Sequence, residues 1–518
     1  MSVAPEPATG PVRPHGSTRF ARNSLGSLLR TSSGAFLALL LPPILIRELG
    51  RDGYGVWAIG GEIGIYLALF EFGAFSAIGH FTASVRPVGD VEGDGRVVTT
   101  MLALQAAVIA VGSLLLAALV LALPTIYSGM PDRLVPSGRW ALALLGGSAL
   151  VSLVGTTLSG YFLAVQRVVL PATIIFVARA VGAVLVVVLA LTGHGIPALA
   201  SAWAAATVTG QVLVIAAYGR LKVPVRPSLV SWPLARRMLG FCGAYALWVI
   251  AGLLVVGLDT LIVARLDFSQ VAPYAAAATG VSMLTAAYGS ALGPMLPLSA
   301  RLAAAGRRQE LGALLLRVLR LGGTTVATAS ALLALAAEPL LRAWVGGSTA
   351  DHAVPLLQVL LAANAVRLLI LPYPTLLFGT AEHRRVLATP FLEGVVNVVV
   401  SIVLGLAVGP VGVAVGTLIG AVIGVGLHVW FNLPRTASLD VTPATVLGRG
   451  LAGPLTAALP AVLALAAGPF LPGAVRTVAF TGAAVAVVAL AWSVALEAQD
   501  REALRTRLRR RASPRLRP

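Results

Sequence analysis

Long apolar segments are the feature that most constrains how this chain can fold. Fourteen of them, each about 20 residues or longer, follow one another between residues 24 and 497. A helix of that length spans the hydrocarbon layer of a bilayer, whereas strands of a membrane barrel show shorter, alternating patterns. The sequence therefore predicts an all-α polytopic membrane protein with about fourteen transmembrane helices.

Composition agrees with a membrane-embedded fold. Of the 518 residues, 58% are hydrophobic and only 11% are charged, which is too little charge to cover a soluble protein of this size. The net charge of +18 falls in short loops and in the C-terminal tail, so it indicates membrane topology and no nucleic-acid partner. The single cysteine, Cys242, excludes an intrachain disulfide and a Cys-rich metal site.

The distribution of Lys and Arg predicts the orientation. With the N-terminus inside, cytoplasmic segments hold about 28 of these residues, outer loops about 7, and three lie within spans. This asymmetry predicts a multi-pass protein of the bacterial cytoplasmic membrane with both termini cytoplasmic. Lys222 is the only lysine, and such preference for arginine is typical of a GC-rich bacterial genome.

A weak internal repeat predicts two lobes. Ser24 at the start of span 1 corresponds to Met238 before span 7, and Gly195 corresponds to Gly412, at offsets of 214 and 217 residues. Parallel repeats of six spans imply a pseudo-two-fold axis and a cavity between the lobes. The predicted organisation is a disordered basic tail (1–23), an N-lobe (24–219), a cytoplasmic linker (220–238), a C-lobe (239–432), spans 13 and 14 (448–497) and a basic cytoplasmic tail (498–518).

Short motifs in both predicted lobes carry a family resemblance. The first lobe contains P-P-I-L-I-R-E-L-G-R-D-G-Y-G from Pro42 and L-F-E-F-G from Leu69. The second contains Asp259-Thr260-Leu261-Ile262 and Tyr274-Ala275. These stretches resemble polysaccharide-biosynthesis, O-antigen-type flippases of the multidrug/oligosaccharidyl-lipid/polysaccharide exporter superfamily.

The resemblance implies a function and partners. It implies a flippase that moves an undecaprenyl-pyrophosphate-linked oligosaccharide across the membrane by alternating access. The implied partners are that lipid, membrane lipids, and a polysaccharide polymerase or glycosyltransferases. A lipid II flippase or a drug exporter of the same fold remains open, as does a membrane glycosyltransferase or polysaccharide polymerase.

Three arginines within the spans are candidates for binding the substrate. Arg30 lies near the cytoplasmic end of span 1, while Arg179 and Arg367 lie near the middle of spans 5 and 10. Charges in the hydrocarbon layer are costly and usually face a cavity or a partner, and a guanidinium can bind a pyrophosphate bidentately. We therefore predict a cationic cavity, although Arg30 is also placed to extend to the membrane interface.

Acidic and amide side chains within the spans are the second set of candidates. They are predicted to line the cavity or to couple transport to an ion, and they are Asp259, Glu62, Glu393, Asn397 and Asn364. Asp259 can pair with an arginine or bind a proton or sodium ion. Glu393 and Asn397 share a helix face, as do Asn364 and Arg367.

Catalytic chemistry has no support in the sequence. The chain contains no Walker loop, no HExxH and no GxSxG motif, and no clustered metal ligands. We therefore predict no catalytic residue, no metal site and no cofactor apart from a coupling ion. A drug exporter would favour an acidic cavity for cationic amphiphiles, which three intramembrane arginines oppose.

Overall fold

A computed structural model describes residues 17–84, 90–256, 258–380, 382, 386 and 388–495. Within these ranges the chain is almost entirely helical and contains no strand. The predicted all-α membrane class is therefore confirmed. The predicted C-terminal tail, 498–518, lies outside the described residues, as does most of the predicted N-terminal tail.

The first half of the chain contributes six α-helices. Their bounds are α1 Ser17–Ala68, α2 Ala74–Ser84, α3 Val91–Ile126, α4 Val135–Ala164, α5 Val169–Leu191 and α6 Ile196–Gly219. Helix α1 contains two expected spans, separated at Gly50, where the backbone leaves the helical region with φ 72°. Glycine adopts this positive φ without steric cost, so Gly50 permits the sharp break.

The described part of the second half contains thirteen α-helices, several of them short. They are α7 Trp232–Val256, α8 Asp259–Leu266, α9 Val271–Leu292, α10 Met295–Ala304, α11 Arg308–Leu335, α12 Ala337–Val345, α13 Gly347–Ile370, α14 Pro372–Gly379, α15 Ala388–Val408, α16 Pro410–Gly426, α17 Pro443–Thr445, α18 Ala452–Ala467 and α19 Gly473–Leu490. Turns of π-helix occupy Leu427–Asn432, Val446–Leu451 and Ala491–Ala495.

The expected count of fourteen spans is not confirmed. Among the described residues, 12 helical segments are long and apolar enough to cross a membrane. The expected spans 1 and 2 count as one of these segments, Leu39–Thr82, although the backbone breaks at Gly50 within it. Helix α9 is absent from the twelve because proline, glycine, serine, threonine and tyrosine lower its mean hydropathy.

Two helices begin earlier than the sequence predicts. Helix α1 begins at Ser17, within the tail expected to be disordered, and α7 begins at Trp232, within the expected linker. Pro233 is the second residue of α7. Proline is well tolerated in the first turn because the amide hydrogen it lacks has no intrahelical acceptor there.

The expected span 7 is broken. Helix α7 ends at Val256 and α8 begins at Asp259, so one apolar segment contains two helices. A helix end leaves its last carbonyl groups without intrahelical donors. Within a membrane such a break is tolerated where neighbouring side chains supply the missing donors.

The two halves are in direct contact at the end that the charge distribution predicts to be outer. Arg51 Nη2 donates to the carbonyl oxygen of Ser269 at 3.2 Å. Beside it, the space around Gly55 in α1 is bounded by Val271 and Phe268 of the second half. This end of the bundle therefore contains a continuous apolar core from both halves.

An indole hydrogen bond also joins the halves at this end. Trp344 Nε1 in α12 donates to the carbonyl oxygen of Leu39 in α1 at 2.9 Å. The residue that would normally donate to this carbonyl within the helix is Pro43, which has no amide hydrogen. Trp344 thus satisfies a carbonyl that the proline leaves without its helical donor.

Helices α18 and α19 pack beside α11. Apolar residues of the three helices form one cluster that includes Ala331, Leu335, Ala461 and Val487. Arg476 at the start of α19 adds an ion pair with Glu338 of α12 at 3.2 Å. The additional C-terminal helices are therefore attached to the second half. The residue boundaries of the two predicted lobes stay a prediction.

Candidate functional site

A cavity of about 540 Å³ lies mainly within the first half of the chain. Helices α1, α4, α5 and α6 form most of its wall, Phe75 of α2 adds to it, and Thr279 of α9 is the contribution from the second half. Its lining combines apolar residues with a set of hydroxyl, amide and guanidinium groups. No aspartate or glutamate of the described residues lines it.

Arg179 of α5 is the charged residue on this wall. It is one of the three arginines predicted from the sequence to bind the substrate, and its side chain is exposed. A cationic group in a cavity between apolar helices is a favourable site for an anionic headgroup. The structure places Arg179 on a cavity wall, and its role in binding the substrate stays a prediction.

Two tryptophans form an aromatic wall of the same cavity. Trp57 of α1 and Trp203 of α6 pack edge to face, with ring centroids 6.4 Å apart and an interplanar angle of 83°. Trp203 shares one face of α6 with Thr207 and Gln211, because residues four apart lie on the same side of a helix. Neither tryptophan is among the site residues predicted from the sequence.

Arg367 occupies a different environment. Its Nε atom donates to Glu393 Oε1 at 2.9 Å, and the side chains are only 18% and 8% exposed. Its Nη2 atom also donates to the carbonyl oxygen of Val255 at 3.4 Å. Arg367 does not line the cavity that contains Arg179. The structure therefore places these two candidate arginines in different environments.

The ion pair between Arg367 and Glu393 belongs to a hydrogen-bond network beside the break between α7 and α8. Asn397 Nδ2 donates to the carbonyl oxygens of Leu254 and Val255 at 3.2 and 3.0 Å. These carbonyls belong to the last turn of α7, where intrahelical donors end. Asn397 and Arg367 thus supply the hydrogen bonds that the broken helix requires.

Asp259 lies at the start of α8, next to this network. It is 6% exposed, and its Oδ2 atom accepts hydrogen bonds from Tyr274 at 3.1 Å and Thr417 at 2.7 Å. Its Oδ1 atom has no hydrogen-bond partner among the residues that the structure describes. Arg367 is close enough for its charge to attract that of Asp259.

Glu62 faces this region from the first half. Its Oε1 atom accepts a hydrogen bond from Tyr66 at 2.8 Å, one helical turn away on α1. The charges of Glu62 and Asp259 are close enough to interact. Two acidic candidates from different halves therefore approach one another, which their separation in the sequence does not indicate.

The remaining candidates have separate positions. Asn364 of α13 is 5% exposed and accepts a hydrogen bond from Thr285 of α9 at 3.0 Å through Oδ1. Arg30 belongs to α1, but its side chain lies outside the described residues. Because Arg367 lies outside the cavity that contains Arg179, the three arginines do not share that cavity, and the position of the Arg30 side chain stays a prediction.

Several polar residues of the cavity and of the Asp259 network are not among the site residues predicted from the sequence. The cavity contains serine and threonine residues of α4 that recur every three or four positions, and Gln211 of α6. The Asp259 network contains Thr417 and also Ser401, which donates to the carbonyl oxygen of Val413 at 3.0 Å. The recurrence of hydroxyl residues inside an apolar span was the sequence signal that could have identified the cavity residues of α4.

A family model described as "Polysaccharide biosynthesis protein" matches residues 61–351, which is more than half of the chain. A comparison with curated proteins returned no match.

Solved structures show a similar fold. The lipid II flippase MurJ in an inward closed conformation is 12% identical, with a TM-score of 0.70 over 90% of this chain and 98% of that one. An inward-facing multidrug resistance MATE family transporter of the MOP superfamily is 16% identical, with a TM-score of 0.62 over 81% of this chain and 98% of that one. At these identities the similarity establishes the fold alone.

Proposed function

This chain belongs to the polysaccharide biosynthesis protein family, and from that premise we propose that it is a flippase for an oligosaccharide linked to undecaprenyl pyrophosphate. It carries the lipid-linked sugar from the inner to the outer leaflet of the cytoplasmic membrane by alternating access. The observation that carries the proposal is a cavity between apolar helices whose wall includes Arg179 together with hydroxyl and amide groups.

The chemistry of the cavity suits such a headgroup. A sugar pyrophosphate is polar and anionic, so hydrocarbon excludes it and a guanidinium attracts it. The cavity volume of about 540 Å³ is in the range of ligand sites, roughly 300–1,000 Å³. The polyprenyl chain is apolar and remains in the lipid during the passage of the headgroup.

The contacts between the halves suggest which bonds the cycle must break. The bonds from Trp344 to Leu39 and from Arg51 to Ser269 hold the predicted outer end together. Opening that end releases both bonds, and release of the headgroup follows. Exposure of the cavity to one side at a time is the requirement for alternating access.

Two alternatives of the same fold differ in their ligand. A drug exporter for cationic amphiphiles requires negative charge, and the described lining of this cavity contains an arginine and no acid. A lipid II flippase requires much the same chemistry, because lipid II also combines sugars with a pyrophosphate. A direct comparison of the two lipids therefore has to separate these functions.

Reconstitution into vesicles tests the proposal. Undecaprenyl-pyrophosphate-linked oligosaccharide is placed in the inner leaflet, and the fraction reached by an externally added glycosidase is followed over time. We expect vesicles with the protein to expose the sugar faster than empty vesicles. Equal rates would reject the flippase proposal, while exposure of lipid II alone would support the lipid II alternative. Sugar transfer in the same vesicles would support a glycosyltransferase.

For ion coupling, we infer that Asp259 is the site of the coupling cation, a proton or sodium. The Oδ1 atom has no hydrogen-bond partner among the described residues and is available for a cation, and the hydroxyl oxygen of Thr417 lies 2.7 Å from Oδ2 of the same carboxylate. Coupling ions of transporters commonly bind near the membrane midplane beside a discontinuous helix. The break between α7 and α8 places Asp259 beside such a discontinuity.

The variant Asp259→Asn tests this inference. It keeps the shape of the side chain and removes its charge, so we expect an imposed sodium or proton gradient to lose its stimulation of translocation. The measurement is the initial rate with each gradient separately. Asp267→Asn, eight positions later at an exposed turn, is the matched control and should retain stimulation. Unchanged gradient dependence in Asp259→Asn would contradict the inference.

A further inference from the structure

We propose that the cavity also contains a recognition site for uncharged sugar hydroxyl groups, formed by a ladder of hydroxyl side chains on α4 together with Gln211 of α6. The inference rests on the proposed flippase function and assigns the sugar part of the substrate to these residues. Arg179 then interacts with the pyrophosphate. The hydroxyl ladder denotes Ser148, Ser152, Thr156 and Ser159, all of which line the cavity.

The spacing of the hydroxyl ladder places its members on one face of α4. Steps of four, four and three residues keep successive side chains on the same side of a helix. Three of the hydroxyls donate to carbonyl groups of their own helix: Ser148 to Leu145 at 2.9 Å, Ser152 to Ala149 at 2.6 Å and Ser159 to Gly155 at 2.7 Å.

These hydrogen bonds within α4 determine which hydrogen-bonding groups the hydroxyl ladder can present to a ligand. A serine hydroxyl has one hydrogen to donate and two lone pairs that accept. Because the hydrogen is used within the helix, the lone pairs remain for a donor in the cavity. A sugar hydroxyl is such a donor, whereas a fully ionised pyrophosphate has none. The ladder is therefore suited to the sugar and contributes little to binding of the anion.

Gln211 supplies the second, independent observation. It lines the cavity and is only 5% exposed, yet its Oε1 atom has no hydrogen-bond partner among the described residues. A buried acceptor without a partner is unfavourable, and native structures usually provide one. A hydroxyl group of the bound sugar would provide this partner.

Gly155 of α4 leaves room for the side chain of Gln211. A Cβ atom at position 155 would overlap Gln211 Oε1, so a side chain on α4 at this point would displace the amide group. Gly155 lies on the same helix as the hydroxyl ladder, between Ser152 and Thr156. The small residue therefore lets Gln211 approach the ladder closely enough to contact the same ligand.

The two tryptophans complete a site of mixed polarity. The edge-to-face pair of Trp57 and Trp203 gives the cavity an apolar aromatic wall. Sugars combine polar hydroxyl groups with apolar C–H faces, so they match a cavity that has both kinds of surface. A site built to hydrogen-bond a hydroxyl group discriminates strongly against an analogue that lacks it.

Binding of two defined lipids to the purified full-length protein tests the proposal. The probes are undecaprenyl pyrophosphate and the same lipid carrying glucose. We expect the wild type to bind the glycosylated lipid at least about tenfold more tightly, since one lost hydrogen bond of this kind changes affinity by about that factor. Gln211→Leu and the double variant Ser152→Ala/Thr156→Val should reduce this preference to about twofold or less.

The affinity of these variants for undecaprenyl pyrophosphate itself should stay unchanged, which separates sugar recognition from a general defect. Removing a buried acceptor that lacks a partner is not expected to destabilise the protein, so the melting temperature of Gln211→Leu should not fall. Gly155→Ala should also lose the preference, because it displaces Gln211.

Two results would overturn the proposal while leaving the flippase function intact. One is equal binding of both lipids by the wild type, and the other is an undiminished sugar preference in Gln211→Leu and in the double variant. Failure of the flippase function itself would be a different result: the wild type would bind neither lipid and would translocate neither in vesicles.

Discussion

Arg179→Ala is expected to lower the initial rate of lipid-linked oligosaccharide translocation by about tenfold or more, because a hydrogen bond to a charged group contributes about 1.5–3 kcal/mol. Arg179 is the charged residue on the cavity wall, so its loss leaves the pyrophosphate without a cationic partner there. Arg179→Lys should retain part of the rate, since an ammonium keeps the charge but loses bidentate geometry. The measurement is glycosidase access to the sugar in proteoliposomes with equal protein content.

Arg96→Ala is the matched control for this experiment. Arg96 is an exposed arginine near the start of α3 and does not line the cavity. Its replacement removes one positive charge from the protein without changing the cavity wall. Equal rates in Arg179→Ala and the wild type would show that Arg179 does not bind the headgroup. A similar loss in both variants would indicate a dependence on overall charge.

Arg367→Ala is expected to lower the free energy of unfolding by about 3–5 kcal/mol, because removal of one partner leaves a buried charge without compensation. Glu393, its partner, is only 8% exposed, and the carbonyl of Val255 also loses a donor. The double variant Arg367→Met/Glu393→Leu should recover most of the loss, since apolar replacement of a buried pair is often neutral or stabilising. Thermal unfolding of the purified protein in detergent measures both effects.

A solvent-exposed ion pair provides the control. Arg307 and Glu310 are 60% and 57% exposed, and Arg307→Ala should cost no more than about 1 kcal/mol. Translocation by the double variant then decides the role of Arg367. Recovery of both stability and transport would assign Arg367 to the structure. Recovery of stability without transport would assign it to the substrate, as the sequence reading predicted.

The sequence alone does not distinguish the environments of Arg179 and Arg367. Both lie in the middle of an apolar segment, and the cost of a buried charge singles out both equally. Arg179 lies on a cavity wall, whereas Arg367 pairs with Glu393 from another helix. Which neighbour a side chain meets depends on the rotation of its helix about its axis, and local hydropathy does not contain that information.

The break in the expected span 7 has a similar cause. Residues 239–264 are apolar except for Asp259 and Thr260 near their C-terminal end, and their length predicts one helix. The ends of α7 and α8 are stable because Asn397, Arg367 and Thr417 supply hydrogen bonds to this region. These donors come from α13, α15 and α16, which are distant in the sequence, so only the folded structure reveals the compensation.

The sequence by itself determined that this chain is a helical membrane protein with the motifs of a polysaccharide-biosynthesis flippase. It could do so because the length of apolar segments, the charges between them and short glycine-containing motifs are properties of contiguous residues. Only the tertiary structure decided that Arg179 lines a cavity, that Arg367 is paired and that Thr417 reaches Asp259 across 158 positions. Such contacts result from side-chain packing between helices, which no single segment specifies.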